Sequence, residues 1–241
     1  NPELGELPIS KIDSFKITQF FNKKLQEGRL DKSGGLEPSY LKVMVSILKS
    51  GIQFAVEQKY CNPIKISFHV PKPPKRELII LDQKDQIRLE NEIVKECTLT
   101  GLGILLSLNA GLRISEICAL RWEDINLSQN YISVRHTISR VPATDDTGTA
   151  KTSLVMETPK TYASLRDIPI PLRLVPVLKK MKSSAISEYV VSDRKTFISP
   201  RTYEYRFHKL LAAYDIPKIN YHALRHTFAT RCIEVGIDIK T

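Results

Sequence analysis

The chain has 241 residues, enough for one large domain or two smaller ones with real cores. Its hydrophobic content of 42% and mean hydropathy of -0.19 are ordinary for a soluble globular protein, and no apolar run approaches the ~18–20 residues that span a bilayer. Lys and Arg number 36 against 26 Asp and Glu, a net charge of +10 that favours a polyanionic partner, nucleic acid before an acidic membrane. Asn1-Pro2-Glu3-Leu4 has neither the basic nor the apolar region of a signal peptide, and no initiator Met, so the chain is expected to begin inside a longer protein. Cys61, Cys97, Cys118 and Cys232 are far apart and show no CxxC spacing. They are expected to be reduced, mostly buried thiols of a cytoplasmic protein, with no zinc site.

The first part of the chain looks helical. Ser10 is a plausible cap for a helix over Lys11 to Gln26, where Ile12, Phe15, Ile17, Phe20, Phe21 and Leu25 approximate one apolar face, and Gly28 ends it. Asp31 to Gly35 is a polar turn. Pro38 then opens a helix to about Tyr60, carrying Leu41, Val45, Leu48, Ile52, Ala55 and Val56. The strongest boundary is His69 to Arg76. Pro71, Pro73 and Pro74 forbid helix there, and Lys72, Lys75 and Arg76 suit a linker that crosses a phosphate backbone. Residues 1–76 carry 13 basic and 7 acidic groups and the remainder 23 and 19, so the smaller part is the more basic per residue.

Beyond the linker, helix and strand patterns mix. Asp82 is expected to cap a helix from Gln83 to Lys95. A second runs from Glu96 to Leu108 and stops at Asn109-Ala110-Gly111, and Ser115 caps a short one from Glu116 to Arg121. Tyr131 to Ile138 alternates with period two and reads as one strand, Asp145 to Gly148 as a turn, and Ser153 to Thr158 as a second strand. Together they form a long hairpin. Leu165 to Ile170 is a third strand, with Pro169 placing it at an edge. Helices follow over Leu172 to Met181, Arg201 to Tyr214, and His222 to Val235, the last ended by Gly236. Ser183 to Arg194 lacks a pattern and is expected to hold a disordered gap.

Within this second part stand three short motifs. Arg113 follows the helix stop Ala110-Gly111, Lys160 sits in the turn Thr158-Pro159-Lys160-Thr161, and His222 and Arg225 lie one helical turn apart in His222-Ala223-Leu224-Arg225-His226. Two guanidiniums suit a phosphate, because each offers a planar fork and stays charged at any working pH. A turn lysine can deliver a proton to a departing oxygen, and a histidine can hydrogen-bond a phosphate or accept a proton. The plainer alternatives are a salt bridge from Arg113 to Glu116 and a solvated turn lysine. His226 stands at i+4 from His222, but a zinc site of the HExxH type needs Glu where Ala223 stands, and Arg225 would repel the metal. His226 is expected to be structural, packed or hydrogen-bonded behind the site.

In order, 47 and 62 residues apart, these motifs resemble the signature of the tyrosine recombinases of the phage-integrase family. The phrasing is most similar to integrases of conjugative transposons and of temperate phages of Gram-positive bacteria. The resemblance implies a mainly α fold with a small antiparallel β-sheet, arranged as a two-domain DNA clamp. Residues 1–70 would be the helical core-binding domain, 71–76 the basic linker, and 77–241 a catalytic domain incomplete at its C-terminus. It implies Arg113 and Arg225 as phosphate clamps, Lys160 as the acid, His222 as the first histidine, and Glu116 and His226 as supporting residues. Ile198-Ser199-Pro200-Arg201-Thr202 resembles the segment leading to a DNA-contacting helix, which makes Arg201 a DNA-binding candidate beside Lys72, Lys75 and Arg76.

The implied activity is cutting and rejoining of double-stranded DNA at a specific site through a 3′-phosphotyrosyl bond, without metal, ATP or other cofactor. It would proceed in a homo-oligomer on the DNA, dimer to tetramer, through a Holliday junction, in the bacterial cytoplasm at the nucleoid and away from any membrane. The nucleophilic tyrosine and a second His or Trp are expected beyond Thr241, and an arm-binding domain before Asn1. Residues 1–241 are therefore expected to bind DNA without cutting it. Two other classes stay open: a type IB topoisomerase, and a non-catalytic DNA-binding regulator on the same fold.

Overall fold

The computed structural model describes residues 3–31, 33–72, 77–143, 152–158 and 165–237. The backbone divides into two compact units, Asn1–Glu77 and Leu78–Thr241. The described residues are mainly helical with small antiparallel sheets.

The first unit is built on α1 (Ser14–Glu27) and α2 (Pro38–Glu57). The cap of α1 is Asp13, not Ser10: its carboxylate accepts from the Lys16 amide at 2.8 Å. Ser10 belongs instead to a separate 3-10 turn, Ile9–Lys11, which extended Ile12 divides from the helix. Ile17, Phe20, Phe21, Leu41, Val45 and Ile52 form the core, and Phe21 stacks on Phe68 at 5.0 Å. Phe15, expected on the apolar face, is 69% exposed. It sits two positions before Ile17, on the far side of the first turn. Lys72 is exposed, whereas Lys75 and Arg76 lie outside the described residues.

The second unit is organised around one helix. Its helices are α3 (Gln83–Glu96), α4 (Leu99–Ala110), α5 (Ile114–Ala119), α6 (Val175–Ser183), α7 (Pro200–Ala213) and α8 (His222–Glu234). Every residue of α4 from Gly101 to Ala110 is buried, as a helix apolar all round requires. Each of its fully buried Leu and Ile side chains contributes about 1.5–3 kcal/mol of transfer free energy. α7 and α8 reach its backbone closely: the Tyr203 hydroxyl donates to the Thr100 carbonyl at 2.6 Å and the Tyr221 hydroxyl to that of Gly103 at 3.1 Å. A side chain at Gly103 would collide with Tyr203, so glycine is what lets α7 approach.

Caps set the boundaries. Asp82 opens α3 as expected, accepting from Asp85 N at 3.2 Å. α4 begins at Leu99 and not at Glu96, because left-handed Cys97 ends α3 and Thr98 caps α4 through the Gly101 amide at 3.1 Å. α5 starts at Ile114, two residues before the expected start. The cap position is Arg113, whose amide donates to the Glu116 carboxylate at 2.9 Å, so Ser115 lies inside the helix.

The strands are β1 (Ile125–Asn126), β2 (Tyr131–Val134), β3 (Thr137–Pro142), β4 (Thr152–Glu157) and β5 (Arg166–Pro169). β1, β2 and β5 form one antiparallel sheet in that order, and β3 pairs with β4 in another. The single strand expected over Tyr131 to Ile138 is thus two strands in different sheets, broken at Arg135-His136. Ile132, Val134 and Ile138 keep one buried alternation across the break, which hides it from a period-two reading. β5 is an edge strand, as Pro169 required. The turn expected at Asp145 to Gly148 and the turn holding Lys160 lie outside the described residues. Ser183 to Arg194 is no disordered gap: Tyr189, Val190 and Val191 are core residues, and the Val190 amide donates to the Leu120 carbonyl at 2.9 Å. Of the cysteines only Cys118 is buried. Cys61, Cys97 and Cys232 are partly exposed free thiols.

Candidate active site

Gly111 begins the site. Its φ of +63° ends α4, and a Cβ there would stand 2.6 Å from the Phe228 ring, so α8 packs directly on this turn. The Gly111 carbonyl accepts a hydrogen bond from Arg225 Nη1. One tight turn therefore anchors one guanidinium and, two residues later, launches another from Arg113.

Arg113 is held by Glu116. Arg113 Nη1 donates to Oε1 at 2.8 Å, and the Arg113 amide donates to Oε2. Arg166 of β5 closes the other side, Nη1 to Oε1 at 3.0 Å and Nη2 to Oε2 at 2.9 Å. Glu116 is 5% exposed. Burial works against its charge, but the Arg166 hydrogen bonds, the Arg113 amide and the Arg113 side chain prevail and hold its carboxyl below the usual Glu value. The expected salt bridge from Arg113 to Glu116 is thus present and is part of the site. Burial, and then the charges of Arg113 and Arg166, depress the Arg225 guanidinium, while Glu116 opposes them. Two arginines bind the carboxylate and a third, Arg225, is held on Gly111, so three guanidiniums stand against one carboxylate and leave two positive charges in excess where an anion can be received.

His222 stands at the start of α8, with the Ala223 amide capped by Asn220 Oδ1 at 2.9 Å. The residue is exposed. The desolvation its ring does experience, followed by the charges of His226, Arg225 and Arg113, holds it below the ordinary imidazole value. It is therefore a neutral hydrogen-bonding group at neutral pH. His226 lies beside it and not behind it: the rings meet edge to face, centroids 4.5 Å apart. Both line a cleft of about 580 Å³ with Arg201 and Asn220, and Arg140 and Leu154 of the β3–β4 hairpin contribute to it. Among the described residues no group of His, Cys, Asp and Glu could hold a metal.

Tyr221 precedes His222 but is buried. Its hydroxyl is bound to α4, with Ser107 Oγ at 2.7 Å, and desolvation pushes its pKa up. The residue lines the cleft, but its hydroxyl is committed to α4. Of the residues singled out in the sequence, Arg113, Glu116, Arg201, His222, Arg225 and His226 all belong to this region of the second unit. Lys160 lies outside the described residues. Sequence reasoning missed Arg166 and Arg140. The signal for Arg166 was a charged residue alternating with the half-buried Ile168, on the face opposite Asp167.

The site thus joins a buried carboxylate that holds two guanidiniums, a third guanidinium anchored on Gly111, and an exposed histidine, all within one helical unit. The chain belongs to the phage integrase family, whose pattern matches residues 80–241. It is 29% identical to the "tyrosine recombinase XerC-like" protein of Caldanaerobacter subterraneus, over all of this chain and 65% of that protein. It is 31% identical to tyrosine recombinase XerA of Pyrococcus furiosus, over 70% of this chain and 53% of that protein. The chain thus spans roughly half to two-thirds of these relatives' length. The fold is similar to that of the Tn1549 transposon integrase in complex with a circular intermediate DNA, with a TM-score of 0.77 at 19% identity over 98% of this chain and 78% of that one. It is also similar to the lambda integrase tetramer bound to a Holliday junction, with a TM-score of 0.61 at 18% identity over 99% and 65%.

Proposed function

We propose that this chain is the DNA-gripping and phosphate-activating part of a site-specific DNA recombinase that works by cutting and rejoining strands. The observation that carries this reading is the Arg113–Glu116–Arg166 knot with Arg225 anchored on Gly111, close enough for Arg225 and Arg113 to lower the pKa of His222, in a member of the phage integrase family. Arg113 and Arg225 take the non-bridging oxygens of one backbone phosphate and stabilise the charge that builds on them. A tyrosine placed beyond Thr241 attacks phosphorus, its hydroxyl proton passing to His222. The bond from phosphorus to the 5′ oxygen breaks as Lys160 protonates that oxygen. A 3′-phosphotyrosyl bond and a free 5′ hydroxyl result, and reversal onto a different strand completes an exchange. His226 steadies the His222 ring.

The partner is double-stranded DNA. Arg201 at the cleft, and Lys72, Lys75 and Arg76 in the linker, neutralise its backbone, so binding weakens steeply with salt. Exchange takes place in a homo-oligomer, dimer to tetramer, a reading supported by the lambda integrase tetramer on its junction. The expected setting is the bacterial nucleoid. Among the described residues no helix is long and apolar enough to cross a membrane.

The test uses the full-length protein and duplex DNA nicked beside its recombination site, so that the cut strand is lost and the covalent complex accumulates. A protein–DNA adduct resistant to detergent, together with recombinant product from two intact sites, is the expected result. Relaxation of supercoils without recombination would make the protein a type IB topoisomerase instead. Tight site binding with no adduct would make it a non-catalytic regulator, and the intact Arg113, Lys160, His222 and Arg225 argue against that outcome.

A further inference from the structure

We infer that Arg166 is a positioning residue for Arg113, acting through Glu116; this rests on the reading of Arg113 as a phosphate clamp. Along β5 the side chains alternate. Asp167 takes one face, accepting from Ser133 Oγ and Arg135 Nη2, both at 2.7 Å. Arg166 takes the other and reaches Glu116 with both terminal nitrogens, one to each oxygen. Both arms of that fork are committed to the buried carboxylate. Arg113 differs: one terminal nitrogen binds Glu116 and the side chain is 47% exposed.

Each Glu116 oxygen receives two donors, the full capacity of a carboxylate. The carboxylate therefore cannot turn without breaking a pair. Take Arg166 away and two acceptor positions open. Glu116 is then free to rotate toward Arg113 and accept its fork in the parallel two-bond geometry, drawing it off the phosphate. Arg166 thus keeps Glu116 a one-armed holder of Arg113, and its own charge cancels that of Glu116. A lysine at 166 keeps the charge but cannot bridge both oxygens in one plane.

The experiment measures single-turnover adduct formation by the full-length protein on nicked site DNA at saturating concentration. Arg166→Ala should form adduct about tenfold more slowly, the scale of removing an outer partner that orients a metal ligand. Its DNA affinity should stay within about twofold of wild type, and Arg166→Lys should fall between the two in rate. In an Arg113→Ala background the Arg166→Ala penalty should vanish. An equal penalty in both backgrounds, an unchanged rate in Arg166→Ala, or a loss confined to affinity would each overturn the assignment. If Arg166→Ala does not fold, the Lys variant carries the same cycle. A second arm needs no chemistry: the guanidinium N–H signals of Arg113, followed by NMR without DNA, should exchange with water faster in Arg166→Lys than in wild type. Unchanged signals would sink the positioning role even if wild type formed no adduct, whereas absence of a wild-type adduct alone would sink only the recombinase reading.

Discussion

The arginine knot and the histidine pair of the second unit are held in opposite ways. Arg113, Arg166 and Arg225 are tied to Glu116 or to the Gly111 carbonyl, and the carboxylate among them is almost completely buried. His222 is exposed and touches His226 through an edge-to-face ring contact. On the proposed reading, charge needed before a phosphate arrives is fixed in advance, which lowers the reorganisation needed as the transition state forms. His222, the proposed proton acceptor, is left near solvent, its pKa lowered by the desolvation its ring does experience and then by the charges of His226, Arg225 and Arg113. On that reading, the side chains that stabilise charge are tied down and the one that moves a proton is not.

If that division holds, replacing a fixed charge should have the largest effect. Arg113→Ala or Arg225→Ala in the full-length protein should slow cleavage by about 10²–10³-fold, the scale of losing one preorganised donor. Lys substitutions should also be severe for want of the planar fork. DNA affinity should change far less, because other phosphate contacts remain, and gel-shift titration beside single-turnover rates will separate the two. A near-normal rate in either variant would remove that arginine from the site.

Lys160→Ala should slow cleavage by about 10²-fold, at the lower end of general-acid effects. DNA with sulfur in place of the bridging 5′ oxygen leaves without needing that proton. It should restore Lys160→Ala selectively and leave Arg113→Ala slow. Equal rescue of both would take the acid role from Lys160.

Glu116→Gln places an amide where four donors converge, so its NH2 group meets two of them unpaired. Thermal unfolding should show a loss of about 2 kcal/mol. The folded-state pKa of Glu116 is lowered. Its contribution is therefore complete above the usual Glu range and fades as pH falls through the depressed value. Above that range the wild-type advantage over Glu116→Gln should not vary with pH. An advantage that grew on acidification would contradict the sign.

The smallest effect concerns the histidine pair. Because His222 titrates below an ordinary histidine, cleavage should survive acidification past the usual imidazole pKa before it falls. His226→Ala removes a neighbour whose charge lowers His222, so it should move that acid limb to higher pH. A shift the other way would show that His226 acts on His222 by some other route.

Sequence reasoning placed α3, α7 and α8 well because their boundaries carry their own signals. Asp82 opens α3, Ser199 caps α7 through the Thr202 amide, and Gly236 follows α8 at a φ of +83°. It placed Arg113, His222 and Arg225 because Gly111 and one helical turn fix them locally. What it missed depends on contacts distant in sequence. Arg166 meets Glu116 from 50 positions away. The break at Arg135-His136 is a change of pairing partner, which leaves the alternation intact. Val190 and Val191 join the core because the segment pairs with Leu120 and Arg121, and two adjacent valines carry no periodicity.

The central claim is that Arg113 and Arg225 act by neutralising one phosphate. It is tested most directly with site DNA in which a methyl group replaces one non-bridging oxygen of the scissile phosphate, removing its negative charge. On that substrate the gap in single-turnover cleavage between wild type and Arg113→Ala should shrink from about 10²-fold or more to within a few-fold, since less charge awaits stabilisation. A gap as wide on the neutral substrate as on the natural one would contradict the account.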